Sequence, residues 1–309
     1  MRRFLKLIIA IIPIAGVSTL LFLSQKPLKQ EQWLSVQNSI TYGISGMTVL
    51  QQQNNSLDLL VVHDNKKPNQ VRLGIVKIQG NNSPQYLPLQ WQTNTKLPID
   101  LESLTFVPTK GLVNENSTSH MALSSSGQIY HFKLASNNTI SLIKIFDLPG
   151  LNKDSNLEAF ALQEIDGKLI AIWAERGEGE KPAIMYWGIL DLATYKINLA
   201  GSNPVKVPLK SPNLRHISDL KVDSSGVVYI TSAMDNGNDG PFESGVYIIG
   251  TFKIQNQQII FQPKSAITTV GNYPKHKIEA MEFLPNGKGG IILGTDDENI
   301  GSSILIKLN

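Results

Sequence analysis

Ile44-Ser45-Gly46-Met47, Leu101-Glu102-Ser103-Leu104, Leu157-Glu158-Ala159-Phe160, Ile217-Ser218-Asp219-Leu220 and Ile278-Glu279-Ala280-Met281 are five versions of one four-residue word. The word runs apolar, Glu or Ser, small or polar, apolar. Its second position falls at 45, 102, 158, 218 and 279, so the intervals are 57, 56, 60 and 61 residues. After each word comes a short turn, an apolar strand, a polar loop and a second apolar strand, and a more variable strand closes most units. A fixed period of this length marks a repeat architecture, and four strands per unit is the make-up of a propeller blade.

Outward from the words, runs such as Leu57–Asp64, Lys168–Glu175, Val227–Ala233 and Gly245–Ile254 are rich in Val, Ile, Leu, Thr and Tyr and are bounded by Asn, Gly, Ser, Asp and Pro. These are strand and turn signals, and the chain reads as all-β. The last word begins at Ile278 and only 31 residues follow that position, which is enough for three strands of a blade. The stretch around Trp33-Leu34-Ser35-Val36 supplies the fourth, because an unpaired sheet edge invites aggregation. The expectation is a five-bladed β-propeller of four-stranded blades, closed by an N-terminal strand. Residues 26–40 form a tether plus that strand, and residues 41–309 form the propeller. A β-sandwich of the same strands is the rival, which the regular period disfavours.

The first 25 residues differ. Arg2, Arg3 and Lys6 precede an uncharged apolar run, Leu7–Leu23. As a helix this run rises roughly 25 Å, the short end of what spans a bilayer. Gly16-Val17-Ser18 offers small residues for cleavage, but Thr19-Leu20-Leu21-Phe22-Leu23 would leave a greasy terminus. Residues 1–25 are read as a retained transmembrane anchor, with a cleaved signal peptide as the alternative. Either puts the propeller outside the cytoplasm, periplasmic or lumenal, held to the inner membrane by the helix or secreted if the helix is removed.

The 309 residues are 41% hydrophobic and 17% charged, with a net charge of +3 and no cysteine. That excludes a disordered chain, thiolate metal sites and a cysteine nucleophile, and it gives no basic surplus for nucleic acid. No Gly-x-Ser-x-Gly elbow, His-Glu-x-x-His, Walker loop or dinucleotide fingerprint appears.

Equivalent positions on the innermost strands of a propeller form a ring. Glu102, Glu158 and Glu279 therefore converge on the axis, with Ser45 and Ser218 completing the ring. Three converging carboxylates repel unless a cation sits between them, and Ca²⁺ tolerates such irregular oxygen ligands. The competing reading makes each Glu a latch onto backbone N–H groups of the next blade. Two residues earlier stand Asp100, Asn156, His216 and Lys277, which would face a polar ligand at the channel mouth. The loops carrying Asp64, Glu175–Glu180, Asp235–Asp239 and Asp296–Glu298 read as solvated turn acids.

The words Leu101-Glu102-Ser103-Leu104, Leu157-Glu158-Ala159-Phe160 and Ile278-Glu279-Ala280-Met281 resemble the blade starts of the esterase-like phytase and SdiA-regulated β-propeller families. Ser45 and Ser218 depart from that pattern, as do Ser103, Ala159 and Ala280 where glycine is usual. The resemblance implies a propeller and, should mechanism follow fold, a metal-dependent phosphoesterase. The absence of a catalytic set favours a binding or interaction module for a polar ligand or protein partner, and not an enzyme.

Overall fold

The computed structural model describes residues 32–53, 55–80, 82–92, 95–108, 118–135, 138–285 and 289–308. The N-terminal helix expected over 1–25 and the first part of the tether lie outside them. Among the described residues no helix is long and apolar enough to cross a membrane.

The strands are β1 (Leu34–Gln37), β2 (Gly46–Gln53), β3 (Ser56–Val62), β4 (Leu73–Gln79), β5 (Gln85–Pro88), β6 (Gln90–Trp91), β7 (Leu101–Phe106), β8 (Ser119–Ser124), β9 (Gln128–Leu134), β10 (Thr139–Asp147), β11 (Leu157–Ile165), β12 (Lys168–Glu175), β13 (Ala183–Asp191), β14 (Lys196–Val205), β15 (Leu214–Val222), β16 (Val227–Met234), β17 (Glu243–Gln255), β18 (Gln258–Pro274), β19 (Ile278–Phe283), β20 (Ile291–Thr295) and β21 (Ser302–Lys307). They form five antiparallel blades. Blade 1 is β2-β3-β4-β5, blade 2 is β7-β8-β9-β10, blade 3 is β11 to β14, and blade 4 is β15 to β18. Blade 2 carries β6 as an extra parallel strand against β10.

Blade 5 is β19-β20-β21 completed by β1, with Leu34 opposite Ile304 and Ser35 opposite Ser303. The expected closure by an N-terminal strand is present. Local turn chemistry agrees with the hairpins. Asp166 and Gly167 join β11 to β12 with φ of 48° and 75°, the two left-handed positions of a two-residue hairpin turn that matches strand twist.

Period-2 alternation explains why blades stack. Along β3, Leu57, Leu59 and Val61 are buried against blade 5, while Leu60 and Val62 are buried against blade 2. Five apolar clusters result, one in each interface between neighbouring blades. Both faces of a blade being buried, its middle strands read as apolar runs and not as simple alternation. The five innermost strands β2, β7, β11, β15 and β19 surround the axis; four words lie at their N-terminal ends, and the fourth word, Ile217–Leu220, falls inside β15.

Candidate functional site at the channel mouth

At the second position of the word the strand pairing slips. β7 loses register against β8 between Leu101 and Ser103, β11 against β12 between Leu157 and Ala159, and β19 against β20 between Ile278 and Ala280. Glu102, Glu158 and Glu279 are thus the extra residues of three equivalent β-bulges. A bulge re-aims its side chain. Here it directs three carboxyls from blades 2, 3 and 5 to one end of the axis. Glu158 and Glu279 are 3% exposed, and Glu102 is half-buried.

Cations from the same and from adjoining blades meet them. The Arg215 guanidinium donates to Glu279 Oε1 at 2.8 Å and also pairs with Asp235. Lys277 Nζ lies 3.2 Å from Glu279 Oε1 and 3.8 Å from both Asp235 and Asp296, and it pairs with Glu298. Arg176 Nη1 is 3.8 Å from Glu158 Oε1, which also accepts from Asn156 Nδ2 at 3.3 Å. Glu102 and Asp64 have no hydrogen bond or ion pair among the described residues.

This asymmetry sets the protons. Burial, reinforced by Glu158, Asp64, Asp100 and Glu279, pushes Glu102 well above the ordinary glutamate range. Burial raises Glu158 to about 7, with Arg215 pulling the other way and Glu279 adding to the rise. Asp64 is raised to about 6 by burial, with Glu279 and Asp100 assisting. Burial alone would lower the Lys277 ammonium, but Glu279 and Asp296 outweigh it and push it up; Arg215 is raised in the same way by Glu279 and Glu158. The mouth therefore holds two glutamates on neighbouring blades whose carboxyls both have raised proton affinity, flanked by carboxylates held in ion pairs.

The residues two places upstream divide. Asp100, at φ 62°, accepts from Ser125 Oγ at 2.6 Å and lies 3.1 Å from Lys66. Asn156 and Lys277 touch ring carboxyls directly. His216 does not. In β15 register slips between Arg215 and Asp219, and this longer irregularity changes the phase of the strand. Arg215 takes the mouth position, while His216 turns into the interface of blades 3 and 4. There its Nε2 donates to Gly179 O at 2.8 Å and its Nδ1 accepts from Val207 N at 3.4 Å. Ser218 is a latch, donating to Ile278 O at 2.9 Å. Ser45 is buried, and its Oγ has no partner among the described residues.

The latch imagined for the glutamates is carried by their neighbours. Ser103 Oγ accepts from Phe160 N at 3.0 Å, and Asp219 Oδ2 accepts from Met281 N at 2.8 Å. Below the ring Lys221 crosses the axis, donating to Leu104 O at 2.6 Å and Met47 O at 3.1 Å. The mouth is thus floored by Asp219 and Lys221. At the opposite end a cavity of about 610 Å³ lies among Phe106, Leu162, Tyr229 and Phe283, with the Lys221–Glu282 pair at its base.

The loop acids correct a further expectation. Asp296 and Asp297 are 2% exposed and not solvated. Asp296 packs so closely on Gly43 that a Cβ there would stand 2.1 Å from its Oδ1, which is why the first unit has glycine at the upstream position. Among the described residues no three acidic or histidine side chains are grouped to hold a metal, and Arg215 and Lys277 both pair with Glu279.

No family model and no curated protein matches the chain. Solved structures do. A thermostable family-43 glycoside hydrolase aligns with a TM-score of 0.52 at 8% identity, covering 92% of both chains. An endo-1,4-β-xylanase from Bacteroides thetaiotaomicron gives 0.54 at 9% identity over 87% of this chain and 95% of that one. The catalytic domain of a Coprinopsis cinerea GH62 α-L-arabinofuranosidase gives 0.50 at 8% identity over 89% and 96%. These likenesses establish the five-bladed fold. They also overturn the functional expectation of a non-enzymatic binding module, or else a phytase-like phosphoesterase, since these three similar structures are glycoside hydrolases. The mouth agrees on the second point: Arg215 and Lys277, the bases a phosphate would need, are taken by carboxylates.

Proposed function

We propose that this chain is a carbohydrate-active enzyme that hydrolyses glycosidic bonds at the acidic mouth of its propeller. One observation carries the reading: two carboxyls on equivalent bulges of adjacent blades, Glu102 unpaired and Glu158 hydrogen-bonded, both with raised proton affinity. Glycoside hydrolysis uses such a pair, a carboxylic acid that protonates the leaving oxygen and a carboxylate that acts as base or nucleophile. Glu102, least reached by any cation, is the acid. Glu158, steadied by Asn156, Arg176 and Arg215, is the carboxylate. Glu279 stays in its ion pairs with Arg215 and Lys277 as the fixed anion opposite a developing positive sugar ring.

The names of the similar structures concern xylan and arabinose-containing glycans, so aryl xylosides, aryl arabinofuranosides and the matching oligosaccharides form the first assay panel. The basic flank and apolar run at the N-terminus support export and membrane attachment, which would bring the mouth to glycans outside the cytoplasm. Reducing-sugar release from any member of the panel, lost at least a hundredfold in Glu102→Gln, is the expected result. No release from a broad glycan panel by well-folded protein would refute the proposal. We further propose that the cation among these acids is the Lys277 ammonium and not Ca²⁺.

A further inference from the structure

Arg215 bridges blades 4 and 5 with the two arms of its guanidinium, one on Glu279 of β19 and the other on Asp235, the residue after β16. Its backbone is held in turn, since Ser232 Oγ donates to Arg215 O at 2.7 Å. Its side chain is 17% exposed, so its field acts through protein more than water and is weakly screened. A fork of fixed geometry places charge more definitely than a flexible ammonium does.

The two glutamates of the proposed acid–base pair feel that charge differently. Around Glu158 stand Arg215, Arg176 and Lys277 as cations, Glu279 as an anion, and Asn156 as a neutral donor. Around Glu102 stand the acids Glu158, Asp64, Asp100 and Glu279. Lys66, which feels Glu102, is tied to Asp100, and Glu102 acts on Arg215 less than Glu279, Glu158 and Asp235 do. We infer that Arg215 is a positioning residue: its fork between Glu279 and Asp235 places positive charge beside Glu158 and away from Glu102, and so decides which member of the pair gives the proton and which receives it. This rests on the proposed glycosidase reading for its catalytic meaning, although the proton distribution itself is a property of the folded protein.

The test is ¹³C NMR titration of full-length protein labelled at glutamate carboxyls, with the Glu158 signal identified by its loss in Glu158→Gln. Arg215→Gln should raise the Glu158 midpoint by about one pH unit or more, the size expected when an opposite charge a few ångströms away is removed. The Glu102 signal should move less. Arg215→Lys keeps the charge but loses the fork; it should move Glu158 in the same direction by a smaller amount, and it serves if the glutamine variant does not fold. In an active enzyme the acidic limb of the rate profile should move upward with the Glu158 midpoint. A Glu158 midpoint that stays in place in both variants, whatever happens to thermal stability, overturns the inference. Its movement in a protein that hydrolyses no glycoside would support the inference and refute the proposed function. Activity with an unmoved Glu158 would do the reverse.

Discussion

Replacing Glu158 by glutamine should make the protein more stable at pH 8 and leave it unchanged near pH 4. In the folded chain the Glu158 carboxyl holds its proton up to about pH 7, against an ordinary value of 4.5. Below 4.5 the folded and unfolded chains both carry that proton, and the site adds nothing to the pH dependence. As pH rises through 4.5 the unfolded chain releases the proton while the folded chain keeps it, so the fold loses stability until about pH 7 and then levels off. At about 1.4 kcal/mol per unit the loss is on the order of 3 kcal/mol. Glutamine has no proton to lose and can still accept from Asn156. The raised value already contains the pull of Arg215 and Arg176 on the charged form, so the expected gain is about 2–3 kcal/mol at pH 8, or roughly 4–10 °C in thermal midpoint for a domain of this size. Thermal midpoints of wild type and Glu158→Gln at pH 4.5, 6 and 8 decide the matter. The curves should coincide at the acid end and diverge upward. Parallel curves, or a variant weaker throughout, would refute the picture of a carboxyl kept at a cost for chemistry.

Deleting residues 32–38 removes β1, leaves β21 as an open edge and uncovers the cluster shared by blades 5 and 1; the protein should aggregate, and a monodisperse product with unchanged midpoint would show that closure lies elsewhere. Lys221→Met strips the donor from Met47 O and Leu104 O on the axis, and its midpoint should fall by an amount equivalent to about 2–5 kcal/mol. A methionine variant as stable as the parent would mean those carbonyls find other partners. Calcium added to chelated wild type should leave the midpoint flat, because Lys277 occupies the space among Asp235, Glu279, Asp296 and Glu298. Lys277→Met should gain a calcium response, and a rise in wild type would restore the metal reading.

The fold was legible because a propeller repeats its physics. Each blade needs an inner strand that can approach its neighbour closely, and the four-residue words record that need five times. Met47, Leu104, Phe160, Leu220 and Met281, the last residues of the words, are all fully buried. Closure was legible by counting, since the three strands that fit from Ile278 onward demanded a fourth from the other end. The loop acids were not legible. A run such as Asp296-Asp297-Glu298 looks the same in sequence whether water or Lys277 surrounds it, and only the placement of blade 5 against blade 1 puts Gly43 under Asp296.

The remaining site error has one cause, the register within an inner strand. Side-chain direction alternates with every residue, so a single bulged position changes which residues face the axis. Three of the five inner strands bulge at the second position of the word, and there the alignment of words placed the glutamates together correctly. In β15 the slip extends over residues 216 to 218, and the same alignment set His216 and Ser218 at a mouth that Arg215 occupies. The difference carries chemical weight. A histidine and a serine at that place would have given a neutral ligand cup; an arginine held between Asp235 and Glu279 polarises the carboxyl ring and gives Glu102 and Glu158 unequal surroundings. The irregular blade is therefore the one that turns a repeated scaffold into an asymmetric site.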